Sequence, residues 1–220
     1  MEENIQRSLD KVGRGDDKVH LIAVTKTVDV DKIKEAIDLG VKNIGENKVQ
    51  ELERKIEAIG NNVNYHMIGH LQTNKVKNII DKVSLVHSLD RMSLAKELNK
   101  RAKMSNITID ALIQVNVSEE ETKFGLSVEE VLPFIEDIQS FEHINIRGLM
   151  TMAPHTDDET VLRKVFRGLY NLKEDIQNRN YNNVNMDYLS MGMTNDYRIA
   201  IEEGSNMIRV GTGIFGDRNY

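Results

Sequence analysis

The sequence predicts a single (β/α)8 barrel, and three features carry that prediction. Eight short, mostly β-compatible apolar runs recur along 220 residues. Segments with apolar residues at helical i, i+3, i+4 spacing lie between them. Polar and glycine-containing clusters follow the runs, one strand after another. Strand–helix alternation implies a parallel sheet. Eight repeats in this length fit a (β/α)8 barrel near its lower size limit; an open doubly wound sheet is the alternative, which the count of eight disfavours. Pro133 and Pro154 are the only prolines, and no low-complexity or linker segment occurs, so residues 1–220 are taken as one domain.

The elements follow in order. A thin apolar pattern (Ile5, Leu9, Val12) marks a helix over residues 4–12, and nothing in the sequence says where it docks. The first strand is Leu21-Ile-Ala-Val24. Its helix carries Ile33, Ala36 and Ile37 and stops at Gly40, where a C-cap favours glycine. The second strand is Asn43-Ile-Gly45, followed by a helix with Val49, Leu52, Ile56 and Ile59 that stops at Gly60. The third is Asn64-Tyr-His-Met-Ile68, with a shorter helix over residues 74–81. The fourth is Ser84-Leu-Val-His-Ser88, and its helix carries Leu94, Ala95, Leu98 and Ala102.

The fifth strand runs from Asp110 to Val117. A capping box, Ser127-x-x-Glu130, opens a helix that buries Val131, Leu132, Ile135 and Ile138. Pro133 inside it predicts a kink or a later start. The sixth strand is Ile144-Asn-Ile-Arg-Gly-Leu-Met150. A second box, Thr156-x-x-Glu159, opens a long helix with Val161, Leu162, Val165, Phe166, Leu169 and Leu172. The seventh strand is Val184-Asn-Met-Asp-Tyr-Leu189, with a helix near 196–203, and the eighth is Met207-Ile-Arg-Val210.

Charge and composition exclude several functions. With 29 Lys plus Arg against 35 Asp plus Glu, net charge −6, there is no basic footprint for nucleic acid and no polybasic membrane anchor. No cysteine occurs, which removes disulfides, thiol nucleophiles and Cys-ligated metals. Absence of a signal-peptide pattern and of any run of ~20 apolar residues predicts a cytoplasmic protein without a membrane span. His66 and His70 stand four apart, but not on a helix, so no metal site is expected; His87 and His20 have no constellation, and His66 reads as a strand residue with a local hydrogen bond. Asp157, Asp158 and Glu159 read as charge complementing a helix N-terminus, not as a site.

In a barrel the active face lies where strands run into their following helices. Lys26 follows the first strand without a break, so its amine points into the mouth. A partly desolvated amine there can form a Schiff base with a carbonyl; the plainer alternative is an exposed lysine opening a loop. Ser190-Met-Gly192-Met193 and Arg209-Val-Gly211-Thr212-Gly follow strands seven and eight, where barrels bind phosphate; two ordinary glycine turns are the alternative. No GxGxxG or Walker sequence occurs. Arg209 lies inside an apolar strand and needs a partner, either a core carboxylate or a cofactor ring nitrogen.

Together these residues resemble the fold-type III pyridoxal-phosphate enzymes, typified by alanine racemase, and more closely the pyridoxal phosphate homeostasis proteins (the YggS/PROSC family). The segments that carry the resemblance run from about residue 20 to the C-terminus. They are Ala23-Val-Thr-Lys26-Thr, Ile44-Gly-Glu-Asn47-Lys-Val-Gln-Glu51, His66-Met-Ile-Gly-His70-Leu-Gln-Thr-Asn74-Lys75, His87-Ser-Leu-Asp90, Gln114-Val-Asn116-Val, Lys123-Phe-Gly125, Arg147-Gly-Leu-Met150-Thr-Met, Leu189-Ser-Met-Gly-Met193-Thr-Asn-Asp196 and Ile208-Arg-Val-Gly-Thr212-Gly-Ile-Phe-Gly216.

The resemblance implies an alanine-racemase N-terminal-domain-like barrel that holds pyridoxal 5'-phosphate as an internal aldimine on Lys26. It implies that Ser190, Gly192, Gly211 and Thr212 bind the phosphate, that Met193 helps close the phosphate loop, and that Arg209 faces the pyridine nitrogen. It places Asn47 and His70 beside the ring. The chain departs from the racemases in ending at Tyr220, where they continue into a β-domain that supplies a second base. The expected function is therefore a carrier in pyridoxal-phosphate homeostasis, without robust catalysis of its own, that passes the cofactor to apo-enzymes as a monomer or weak dimer. A racemase or other Cα-deprotonating enzyme, and a barrel binding another phosphorylated metabolite, are the competing expectations.

Overall fold

The computed structural model describes residues 1–120, 122–179 and 181–216. Its eight strands are β1 (His20–Val24), β2 (Asn43–Glu46), β3 (Asn64–Met67), β4 (Leu85–Leu89), β5 (Ile109–Gln114), β6 (Ile144–Met150), β7 (Val184–Ser190) and β8 (Met207–Val210). Each pairs in parallel with the next, and β8 pairs back to β1, with Leu21 opposite Ile208, so the sheet closes into a barrel. The helices are α1 (Glu2–Lys11), α2 (Val30–Asp38), α3 (Val49–Ile59), α4 (Met92–Met104), α5 (Val128–Ile138), α6 (Glu159–Gln177), α7 (Tyr197–Glu202) and α8 (Thr212–Phe215), with a 3-10 helix at Thr73–Asn78.

Strand alternation builds two apolar layers. Outward residues such as Ala23, Ile44, Val86, Ala111 and Ile146 pack against the helices. Ile22, Leu85, Leu112, Met150 and Met207 form a separate cluster. They come from β1, β4, β5, β6 and β8, and only the lumen of a closed barrel lets side chains from strands so far apart meet. The N-terminal helix, unplaced by its sequence, packs Leu9 with Tyr197 and Ile201 of α7 and Ile208 and Val210 of β8. Lys11 adds an ion pair with Glu202 at 2.8 Å. Among the described residues, no helix is long and apolar enough to cross a membrane.

Several local expectations change. The helix expected over 74–81 is the shorter 3-10 turn. The fifth strand stops at Gln114, and Val115 makes a lone bridge to Leu126 as the chain turns away. Helix α5 keeps its capping box and runs through Pro133, so the later start is not seen. The box expected at Thr156 is replaced: Asp158 caps α6 by accepting the Thr160 N–H at 2.9 Å, a carboxylate being the better cap and nearer the first turn. Val161 is 38% exposed, because α6 buries the stripe from Leu162 to Ile176 instead. The four-residue α8 is too short to show a period and was not expected.

Gly148 sits at φ 143° where the β6–β7 register shifts, and a Cβ there would collide with the Tyr188 carbonyl oxygen. Gly148→Ala is expected to cost about 3 kcal/mol, at the upper end for overpacking a tight site, because the clash is with backbone that cannot rotate away. Urea denaturation checks this; a loss under ~0.5 kcal/mol would contradict the close approach.

Candidate functional site

Strand alternation also places Lys26. Ile22 and Val24 point inward and Thr25 points outward, so the next residue faces the mouth. Lys26, Met193, Arg209, Gly211 and Thr212 line one cavity of about 240 Å³ at the ends of β1, β6, β7 and β8, together with residues 153–157 after β6 and Asp196, so that Asp157, expected only to complement a helix N-terminus, borders it too. That lies just below the ~300–1,000 Å³ of most small-ligand sites, room for one small ring and not for a dinucleotide.

The cavity floor is tied together by backbone. The Arg209 N–H donates to the Gly192 carbonyl at 3.0 Å. Gly192 has φ 96°, and a Cβ there would press on Ala200 at 2.7 Å and Tyr197 at 2.9 Å, so glycine lets the loop lie against α7. Asp196 accepts the Met193 N–H at 2.5 Å. Thr194 joins the two loops, accepting from the Thr212 hydroxyl at 3.2 Å and the Gly213 N–H at 3.4 Å.

Arg209 is 4% exposed, and its partners are oxygens rather than a core carboxylate. Nη1 donates to the Ser190 carbonyl (2.7 Å) and hydroxyl (2.6 Å), and Nη2 to the Thr151 carbonyl (2.9 Å). Burial lowers its pKa to about 10, with Asp196 working the other way, so it stays cationic at neutral pH.

Ser190 connects this cation to a polar chain that the sequence did not reveal. Its hydroxyl lies 3.0 Å from His87 Nδ1, His87 Nε2 lies 3.0 Å from His66 Nδ1, and His66 Nε2 lies 3.4 Å from Asn43 Oδ1. Arginine can only donate, and Asn43 Oδ1, which also takes the Asn64 amide at 3.0 Å, can only accept. One hydrogen arrangement satisfies every member: Arg209 to Ser190 to His87 to His66 to Asn43, both imidazoles neutral with hydrogen on Nε2. His87, read from sequence as having no constellation, is thus a link between the barrel floor and the cavity. The available signal was strand alternation, which puts Leu85 and His87 on one inward face.

This chain makes the fold acid-sensitive. Burial, and then the charge of His20, lower His66 to about 4 from 6.5, and burial lowers His87 well below its ordinary value. Between those values an unfolded chain binds the proton first, so stability is retained above pH 6.5 and lost as pH falls toward 4. The His66 contribution is roughly 3 kcal/mol at full effect. Denaturation from pH 7 to 4 is expected to show this loss, and a His66→Gln variant a shallower one.

The other expected residues lie elsewhere. His70 stands on the β3–β4 side of the mouth, its ring stacked on Phe124 at 4.2 Å and Nδ1 3.5 Å from Asp90. Asn47 follows β2, its backbone so close to Gly69 that a Cβ there would overlap it. Neither lines the Lys26–Arg209 cavity. The Ser190 hydroxyl is engaged inside the barrel, and Gly192 shapes the loop behind the cavity wall. Among the described residues no cluster of three or more His, Asp or Glu could hold a metal.

A buried charge cluster behind Lys26 also escaped the sequence reading. Glu46, Lys55 and Thr25 are all inaccessible to solvent, between β2 and α3. Lys55 donates to Glu46 and to the Thr25 carbonyl (2.5 Å), and the Thr25 hydroxyl donates to Glu46 at 2.5 Å. Burial raises the Glu46 pKa against these bonds.

Comparison with known proteins agrees with this architecture. The family model of the alanine racemase N-terminal domain matches residues 1–219. A pyridoxal phosphate homeostasis protein of Aquifex aeolicus is 43% identical over 219 residues, 99% of this chain and 95% of that protein. One from Haemophilus influenzae is 37% identical over 100% of this chain and 94% of its own length. Among solved structures, PipY of Synechococcus elongatus with PLP bound superimposes with TM-score 0.84 at 28% identity, covering 96% of this chain and 100% of that one. Alanine racemase of Clostridium difficile shares the fold, with TM-score 0.74 at 14% identity over 99% of this chain and 57% of that one. The chain belongs to the YggS/PROSC family of pyridoxal phosphate homeostasis proteins, built on the barrel of the alanine racemase N-terminal domain.

Proposed function

We propose that this protein binds pyridoxal 5'-phosphate at the Lys26–Arg209 cavity and serves as a cytoplasmic carrier of it. The observation that carries the reading is the donor set of that one cavity: an amine, a buried cation, and a glycine–threonine loop. Bound pyridoxal phosphate supplies an aldehyde that accepts an amine and a ring that can take up charge. Lys26 would be the residue that holds the cofactor covalently, its amine being the group suited to the aldehyde. Gly211 and Thr212 open α8 and would offer backbone N–H groups to the phosphate, with Met193 bordering it and the Thr212 hydroxyl bound to Thr194. Ser190 and Gly192 contribute from behind, by fixing Arg209 and the loop. Asn47 and His70 stay outside this cavity, on the β2–β4 side of the mouth.

Arg209 sets the balance between carrier and catalyst. A guanidinium held by three hydrogen bonds cannot supply a carboxylate-like partner to the pyridine nitrogen, and its charge opposes protonation there. An unprotonated ring takes up less charge, which disfavours removal of a Cα proton. The homeostasis names of the relatives agree with that reading.

Two assays separate it from a racemase. Holoprotein mixed with an apo-enzyme that requires the cofactor is expected to restore that enzyme's activity, and incubation with amino acids in heavy water is expected to give no Cα exchange. Sustained exchange without transfer would replace the carrier with a Cα-deprotonating enzyme. A single species during loading would fit the monomer, and a concentration-dependent second species the weak dimer.

A further inference from the structure

The Asn47-Lys-Val-Gln-Glu51 stretch carries the family resemblance, yet nothing in the binding site uses Glu51. Its place becomes clear from the turn that bears Lys26. The Val28 N–H donates to the Thr25 carbonyl at 3.0 Å, closing a β-turn with Lys26 and Thr27 at its two central positions. Thr27 has φ 61°, in the left-handed region that a β-branched residue rarely adopts. Turns with that backbone ordinarily place glycine or asparagine there. A threonine stays only where its surroundings hold it.

Those surroundings come from one face of α3. Glu51, in its first turn, accepts the Thr27 N–H on Oε2 at 3.0 Å. Lys55, one turn on, donates to the Thr25 carbonyl at 2.5 Å and lies 3.6 Å from Glu51. The two residues flanking Lys26 are therefore both tied to α3. Burial opposes charge on Glu51, but the Thr27 N–H and Lys55 outweigh it and leave its carboxyl below the ordinary value.

We propose that Glu51 is a positioning residue that, by accepting the Thr27 N–H, holds the strained turn presenting Lys26 to the cavity. The part that concerns loading rests on the proposed pyridoxal-phosphate site; the part that concerns the turn does not.

The test uses the full chain and two variants, Glu51→Ala and Glu51→Gln. Glu51 is partly exposed, and thermal unfolding of each variant checks that it folds. In protein without added ligand, Glu51→Ala is expected to speed Thr27 amide exchange about tenfold as the turn opens, whereas Glu51→Gln, which keeps an acceptor oxygen, stays within about twofold. With pyridoxal phosphate and borohydride, labelling of Lys26 slows about fivefold or more in Glu51→Ala and is rescued in Glu51→Gln, by the same loss and return of pre-organisation. Unchanged exchange in Glu51→Ala, or a Glu51→Gln variant that behaves like it, overturns the proposal. A parent protein that never labels Lys26 overturns the proposed function instead, and the Thr27 exchange still decides whether Glu51 holds the turn.

Discussion

A Lys55→Met variant is expected to lose about 3–5 kcal/mol of folding stability, the range seen when one partner of a buried ion pair is removed. Glu46 has no access to water, and among the described residues its Oε2 already has no hydrogen-bond partner. Without Lys55 only the Thr25 hydroxyl remains on Oε1. The Thr25 carbonyl also loses a donor. Against a typical total of ~5–15 kcal/mol, such a loss leaves a small margin. The double variant Lys55→Met/Glu46→Gln is expected to recover about half of it, since the neutral amide no longer carries an uncompensated charge. Urea denaturation of parent, single and double variants measures both. An unaffected single variant would contradict the buried pair, and a double variant no better than the single would contradict its electrostatic origin.

A Lys26→Ala variant is expected to lose Schiff-base absorption with pyridoxal phosphate and all borohydride-fixed label from residues 20–30. The proposed phosphate loop and Arg209 remain, so reversible binding of the cofactor is expected to persist. The affinity falls about 100-fold, or ~2.8 kcal/mol, because only the covalent link is removed. Ultrafiltration at graded cofactor concentrations reads the change. Because Lys26 is only partly buried at the mouth, the variant keeps the parent's unfolding midpoint, which separates loss of the link from loss of the fold.

The barrel was readable because each unit has a strong local signal. The runs around Ile22, Leu112 and Met150 are bounded by turns, and the stripe Leu94, Ala95, Leu98, Ala102 lies on one helix face and is buried in full. Element ends were harder to read. Thr156 and Asp158 are both N-cap residue types within two residues, the box pattern favours Thr156, and only the side-chain geometry selects Asp158. Of the proposed site, Lys26, Gly211 and Thr212 are conspicuous in the sequence as polar or glycine residues at strand ends and Arg209 as a charge inside an apolar strand, and the structure gathers all four on one cavity.

The supporting shell was hidden for the opposite reason. Lys55 looks like a surface lysine until its place three residues after Leu52 is set against the buried face of α3. His87 looks like one polar residue in an apolar strand. Its partners, His66 and Ser190, lie 21 and 103 residues away, and only closure of the sheet brings them together.

The most direct measurement is reduction of the loaded protein with borohydride, followed by peptide mapping by mass spectrometry. The account predicts one pyridoxyl adduct, on Lys26. An adduct on another lysine, label scattered over many, or none at all would contradict it and leave a phosphate-binding barrel without its covalent anchor.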